Sequence, residues 1–167
     1  MGGNHVQVRL MNWAMKAGRA AFERSRLVLN GGRKRVTLGV RAAVFDGAQL
    51  LLVRHTYMPG WHMPGGAIDS GESAAQAAAR ELREETWIEA AGEARFIGFY
   101  FNPMKTKSDH VAFFVFDPWH APRGLATPNM EIAEVGFFAR DALPNGTSPA
   151  TLRRLAELDG APVTGAW

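Results

Sequence analysis

One stretch constrains the fold more than any other. Residues 65–90 read GGAIDSGESAAQAAARELREETWIEA and crowd Asp69, Glu72, Glu81, Glu84, Glu85 and Glu89 into a short span. Residues 73–86 are rich in Ala and free of Gly and Pro, so they predict a helix of about four turns. The preceding HTYMPGWHMPGG is dense in Pro and Gly and predicts a loop. Around this unit lie short apolar segments of strand character at residues 36–45, 50–54, 94–101, 110–117 and 135–139. The first two read as a hairpin about Asp46-Gly47. Ser148-Pro149 reads as the cap and first residue of a last helix running to Leu158. Strands, helix, strands, helix is the order of an α+β domain, with a mixed sheet between helices in α/β/α layers.

On a helix, Glu81, Glu84 and Glu85 stand at i, i+3 and i+4 and project from one face. Like charges at those spacings repel unless a cation sits among them. Arg80, at i−4 to Glu84, offers one ion pair and leaves the other two carboxylates short of partners. A hard divalent cation with oxygen ligands, Mg2+ above all, would resolve the conflict. The plainer alternative is a solvated face held by weak surface ion pairs.

The chain has 167 residues, 47% of them hydrophobic and 21% charged, which suits one soluble domain. It has no cysteine, which excludes disulfides and thiolate metal sites. Its apolar runs are too short to cross a bilayer and its first residues lack a secretory pattern, so a cytoplasmic location is expected. Charge divides unevenly: residues 1–35 hold eight Arg or Lys against Glu23, a net +7, and the remainder holds 11 basic against 15 acidic residues, a net −4. A basic arm over 1–35 therefore precedes a domain over 36–167. Within the arm, residues 6–29 look helical, with Leu10, Trp13, Ala14, Ala17, Ala20 and Ala21 at helical spacing, and Asn30-Gly31-Gly32 supplies a stop and linker.

The run Gly66, five residues, Glu72, seven residues, Arg80-Glu81-Leu82-Arg83-Glu84-Glu85-Thr86, then Trp87-Ile88 resembles the box of the Nudix hydrolases. Every constrained position matches except Trp87, where that family has glycine. The resemblance implies hydrolysis of a nucleoside diphosphate linked to another moiety, with Mg2+, or Mn2+ in its place, held by the loop and helix. Glu81, Glu84 and Glu85 become metal ligands or their base, the Gly66 carbonyl a further ligand, and Arg80 the group that orients the carboxylates. Glu72 is expected to support the loop–helix junction. Glu131, six residues ahead of Phe137, is the expected additional ligand or general base, with Glu134 the weaker choice. Trp87 is expected to alter the helix end and pack its indole against the sheet.

Pro103, fifteen residues beyond Ile88, has the spacing that in this family accompanies ADP-ribose pyrophosphatases, which favours an ADP-ribose or NDP-sugar type substrate. Arg54, His55, Lys105 and Lys107 are candidates to contact phosphates, and Tyr57, Trp61 or Phe101 to stack on a base. The alternative is a Nudix-like module that binds a nucleotide without cutting it. The basic arm carries no nucleic-acid motif, and docking on protein, with a homodimer one form of it, is the favoured reading of its charge.

Overall fold

The computed structural model describes residues 36–103 and 109–167. The arm over 1–35, with its expected helix, and the pair Lys105 and Lys107 lie outside the described residues.

The strand segments form where alternation and apolar runs place them. They are β1 (Thr37–Asp46), β2 (Gln49–His55), β4 (Arg95–Phe101), β5 (Asp109–Phe116) and β7 (Ile132–Ala139). Together they make one sheet in the order β4-β5-β1-β2-β7. Thr37 to Val44 of β1 run parallel to Asp109 to Phe116 of β5, and the other neighbours are antiparallel. β5, DHVAFFVF, is almost wholly buried, because both faces of the sheet are covered there. Two-residue strands β3 (Glu89–Ala90) and β6 (Trp119–His120) pair apart from the main sheet. They are too short to leave a periodic signal.

The hairpin departs from expectation. β1 and β2 pair at Phe45–Leu50 and Asp46–Gln49, beside the turn. Farther on, the Gly-rich loop wedges between them: Val53 and His62 exchange backbone bonds of 2.9 Å, Ala42 N–H donates to Pro64 at 2.9 Å, and Val40 N–H donates to Gly66 at 2.9 Å. A loop that borrows strand bonds on both sides is fixed as firmly as a strand.

Helix α1 (Ala74–Thr86) starts at Ser73, whose hydroxyl accepts from Gln76 N–H at 3.2 Å while the Gln76 side chain accepts from Ser73 N–H at 2.8 Å. Its Ala77, Ala78 and Leu82 pack with Val40, Ala42, Ala112 and Phe114 on one face of the sheet. Helix α2 (Pro149–Leu158) starts at Ser148 and brings Leu155 to the other face, with Trp61, Met63 and Phe113. On that face Trp167 N–H donates to Phe101 O at 2.8 Å and Phe101 N–H to Gly165 O at 2.9 Å, so residues 165–167 line the outer edge of β4. Among the described residues, no helix is long and apolar enough to cross a membrane.

Candidate active site

Two adjacent glycines let the wedge and α1 close on each other. Gly65 has φ +145°, and a Cβ there would lie 2.2 Å from Val40 O. A Cβ on Gly66 would lie 2.3 Å from Glu81 Oε1. Bare backbone therefore faces the carboxylates of α1 directly. Gly65 N–H donates to Glu85 Oε2 at 3.0 Å, and the Arg41 guanidinium donates to the Gly65 carbonyl. The Gly66 carbonyl accepts from Val40 N–H, which leaves it one lone pair for any further partner.

Arg80 does more than a single i,i+4 pair. Its guanidinium donates to Glu72 at 2.7 and 3.1 Å, to Glu81 at 2.9 Å, to Glu84 at 3.2 Å and to the Ala67 carbonyl at 3.1 Å, with Asp69 3.6 Å away. These bonds hold Arg80 firmly protonated, Glu72 contributing most, and in return Arg80 lowers the Glu72 pKa. Glu72 also accepts from Asp69 N–H at 2.7 Å and so ties the loop to the helix. One cation thus gathers four carboxylates. Burial still pushes the Glu81 pKa up despite that contact.

Glu85 turns the other way. It is buried, bonded to Gly65 N–H, with His55 Nε2 3.6 Å from its Oε1. The approach to His55 is not an ion pair. Burial, reinforced by Arg41 and His62, holds the His55 pKa down at about 3, and burial pushes Glu85 up to about 8. His55, read from sequence as a phosphate contact, is instead a neutral buried ring packed beside Glu85 and Tyr57, with centroids 5.1 Å apart in the latter pair. Arg41 was not legible as a site residue, because in sequence it is one polar residue within a buried strand.

These groups open onto a cleft of about 260 Å³ whose walls include Tyr57, Gly65, Gly66, Asp69, Arg80, Glu81, Glu84, Glu85, Asn129 and Glu131. Glu131 enters from the loop before β7, where Tyr57 OH donates to its Oε1 at 3.4 Å. Asn129 Oδ1 accepts from the N–H groups of Glu131 and Ile132, both at 2.8 Å, and holds that loop turned inward. Glu134 lies outside the cleft, paired with Arg54 at 2.7 Å on the exposed β2–β7 ladder. Arg54 is accordingly committed to Glu134 and to the face of Trp61, 5.6 Å from the ring centroid. Trp61 departs from its expected role as a base platform: it is buried in the core against Phe138, because its neighbours Gly60 and Met63 follow the wedge into the sheet. Phe101 sits on β4 and does not line the cleft.

A family model described as the NUDIX domain matches residues 35–158, about three quarters of the chain. The chain belongs to the Nudix family. A Bacillus subtilis (strain 168) protein that carries the provisional name 8-oxo-dGTP diphosphatase is 44% identical over 68 residues, which is 41% of this chain and 45% of that relative, less than half its length. Among solved structures, a MutT NUDIX hydrolase from Burkholderia pseudomallei superposes with a TM-score of 0.65 at 21% identity, over 75% of this chain and 99% of the other. An ADP-ribose pyrophosphatase from Streptococcus suis 89-1591 superposes with a TM-score of 0.56 at 25% identity, over 76% and 94%. The Nudix fold is shared with both.

Trp87, where the Nudix pattern has glycine, adopts φ +62° and ψ 12° and donates its N–H to Arg83 O at 3.0 Å. The helix end is therefore the left-handed one that glycine would give, contrary to the expected rearrangement. Its indole is mostly covered and meets the Arg123 guanidinium 5.9 Å from the ring centroid, and it belongs to neither core cluster of the sheet.

Nudix proteins use divalent cations, and the donor set here suits one: Glu81, Glu84, Glu85 and Glu131 are hard oxygen donors on one cleft that Gly65 and Gly66 also line. Burial pushes the Glu81 and Glu85 pKa values up, so both resist ionisation until a cation compensates the lost solvation. Among the described residues, no three carboxylate or imidazole groups converge on one point. Arg80 keeps Glu81 and Glu84 on its own nitrogen, and a cation would compete with it for both.

Proposed function

We propose that this protein is a divalent-metal-dependent pyrophosphohydrolase acting on a nucleoside diphosphate linked to another moiety. The observation that supports this reading is that Glu81, Glu84, Glu85 and Glu131 line one cleft together with the bare Gly65-Gly66 backbone. Mg2+ or Mn2+ held there by Glu81, Glu84, Glu85 and Glu131, with Gly66 and Gly65 as candidate carbonyl donors, would neutralise the pyrophosphate and acidify a water for attack at phosphorus. The chain's own residues do the rest. Arg80 aims Glu81 and Glu84, Glu72 fixes Arg80, and the Gly65 N–H aims Glu85. Glu131, open to solvent and steadied by Asn129, is the candidate base that takes the proton of the attacking water. Asp69 and Arg80 stand at the loop side of the cleft and Tyr57 at the Glu131 side, where its half-exposed ring is the candidate surface for the nucleoside.

For substrate we favour an ADP-ribose or NDP-sugar type compound, supported by Pro103 and by the likeness to an ADP-ribose pyrophosphatase. A nucleoside triphosphate is the second reading, supported by the 44% identity to the relative named for 8-oxo-dGTP. A panel containing ADP-ribose, UDP-sugars and 8-oxo-dGTP, with Mg2+ or Mn2+, separates them. Two phosphomonoesters from ADP-ribose support the first, and pyrophosphate from 8-oxo-dGTP the second. Tight binding with no cleavage of any member would make the protein a nucleotide-binding module.

A further inference from the structure

A five-stranded sheet spans about 19 Å between its outer strand axes, while a helix with its side chains is about 10 Å across, so one helix cannot cover one face. Helix α1 packs chiefly on β1, with lesser contact to β5 and β7. What remains beside it is apolar and open: Phe96, Phe99 and Phe101 of β4 are 57%, 52% and 40% exposed, and Leu38 of β1 is 37% exposed. They share the α1 face, since Phe96 stands opposite Phe114, Phe99 opposite Ala112, and both Phe101 and Leu38 beside His110. His110 stacks on Phe99 at 5.1 Å and 8°, joining β4 to the start of β1 in one surface. Neighbouring exposed apolar groups of this kind mark an interaction surface.

We propose that residues 6–29 of this same chain lie across that β4 surface as the second helix of the α1 layer. The chain outside the described residues ends at the surface itself, since Val36, 41% exposed, comes two residues before Leu38. A helix over residues 6–29 would be about 36 Å long, against about 24 Å for the seven residues of β4. Residues 30–35 can span up to roughly 20 Å, with Gly31 and Gly32 free to turn, so the helix can double back over the strand it abuts. Leu10, Trp13, Ala14, Ala17 and Ala21 supply one apolar stripe, small enough over most of its length for close approach to the phenylalanine rings. The arm carries +7 and the rest of the chain −4, which favours contact in general. Tethering at the rim gives the arm an effective concentration on the order of millimolar, ahead of a second copy or any other partner in dilute solution.

Hydrogen–deuterium exchange on the full chain tests this, with Phe96→Ser and Phe99→Ser as the variants. Both positions are more than half exposed, and protection of β1 and β5 amides reports that each variant is folded. The expected result is that amides of residues 6–29 exchange slowly in the unaltered protein at all protein concentrations, and that either variant accelerates them by on the order of tenfold or more. A second measurement uses the absence of native cysteine: Trp13→Cys paired with Phe99→Cys should cross-link within one chain. Random-coil exchange over 6–29 in the unaltered protein, or protection indifferent to both variants, overturns the proposal. Protection that grows with protein concentration, with cross-links between chains, assigns the surface to a second copy and overturns it as well. Protection that arises only with anionic vesicles assigns the arm to a membrane surface, with the same consequence.

Discussion

At the scale of single residues, the site depends on which carboxylates are neutralised from within and which are not. Glu84 is half exposed and shares Arg80 with Glu81, while Glu85 is buried and, among the described residues, accepts from no guanidinium. Glu84→Gln and Glu85→Gln should each remove most turnover while the fold persists, because volume is kept and a metal-binding charge is lost. Steady-state rates beside circular dichroism check this, and wild-type rates in both variants would end the metal assignment. Glu85→Gln should also leave the metal-free protein no less stable, since it removes a charge that burial opposes. That Arg80, Glu81, Glu84 and Glu85 border one cleft was legible, because side-chain spacing on a helix is fixed by the helix itself. Trp61 and His55 were misread for the opposite reason: the loop that carries Trp61 is drawn into the sheet, His55 closes strand β2 beneath it, and a residue's polarity does not say which of these positions are buried.

At the scale of elements, the C-terminal end of α1 and the link from β4 to α2 each give a measurable consequence. Trp87 holds a left-handed conformation that costs a side-chain residue about 1–2 kcal/mol, offset by a mostly covered indole and its contact with Arg123. Trp87→Gly should therefore lower stability by only about 1–2 kcal/mol, less than the 3–5 kcal/mol of a large core truncation. Trp87→Ala should be worse by about 1 kcal/mol, because it loses the indole and keeps the strain. The stability order Trp, Gly, Ala in denaturant unfolding is the reverse of ordinary helix preference for the last two, and Ala above Gly would refute the strain. Tyr100 on β4 is buried and donates to Glu157 on α2 at 2.9 Å. Burial, then that carboxylate, raises its pKa above the usual phenol value of about 10. A raised folded pKa means this contribution is whole below pH of about 10 and lost as pH climbs through the folded value. Alkaline unfolding should be shallower in Tyr100→Phe than in the parent between pH of about 10 and 12, and equal slopes would count against the coupling. Strands β1, β2, β4 and β5 and both described helices came through from the sequence within a residue or two, since periodicity and the Ser73 and Ser148 caps are local signals, while β7 begins three residues before its expected start at Val135 and the two-residue strands were missed. Pairing did not, because the wedge that separates β1 from β2 depends on contacts distant in sequence.

At the scale of the whole molecule, the carboxylates gathered on one cleft should make the folded state a better cation ligand than the unfolded chain. A divalent cation at about a hundred times its dissociation constant should add roughly 2.7 kcal/mol of stability, and Tm should rise with its concentration. Mg2+ or Mn2+ titrated against thermal unfolding tests this, with Glu84→Gln and Glu85→Gln as controls that should blunt the rise. A Tm indifferent to both cations would mean that Arg80 keeps its carboxylates.

The wedge also bears on how such a protein can change over generations. Residues 62–67 hold bonds on two strands at once, through Val53, Ala42 and Val40, so one inserted or deleted residue there would shift both ladders and carry Gly65 away from Glu85. The stretch from Gly124 to Asn129 is anchored differently: Ala126 N–H caps the Thr86 carbonyl and Asn129 steadies Glu131, with no strand between. Length can vary between those two anchors without disturbing the helix that carries Glu81, Glu84 and Glu85. Descendants of this chain that acquire new substrates should therefore keep residues 62–67 to the letter in length and differ in size beside Tyr57 and Glu131.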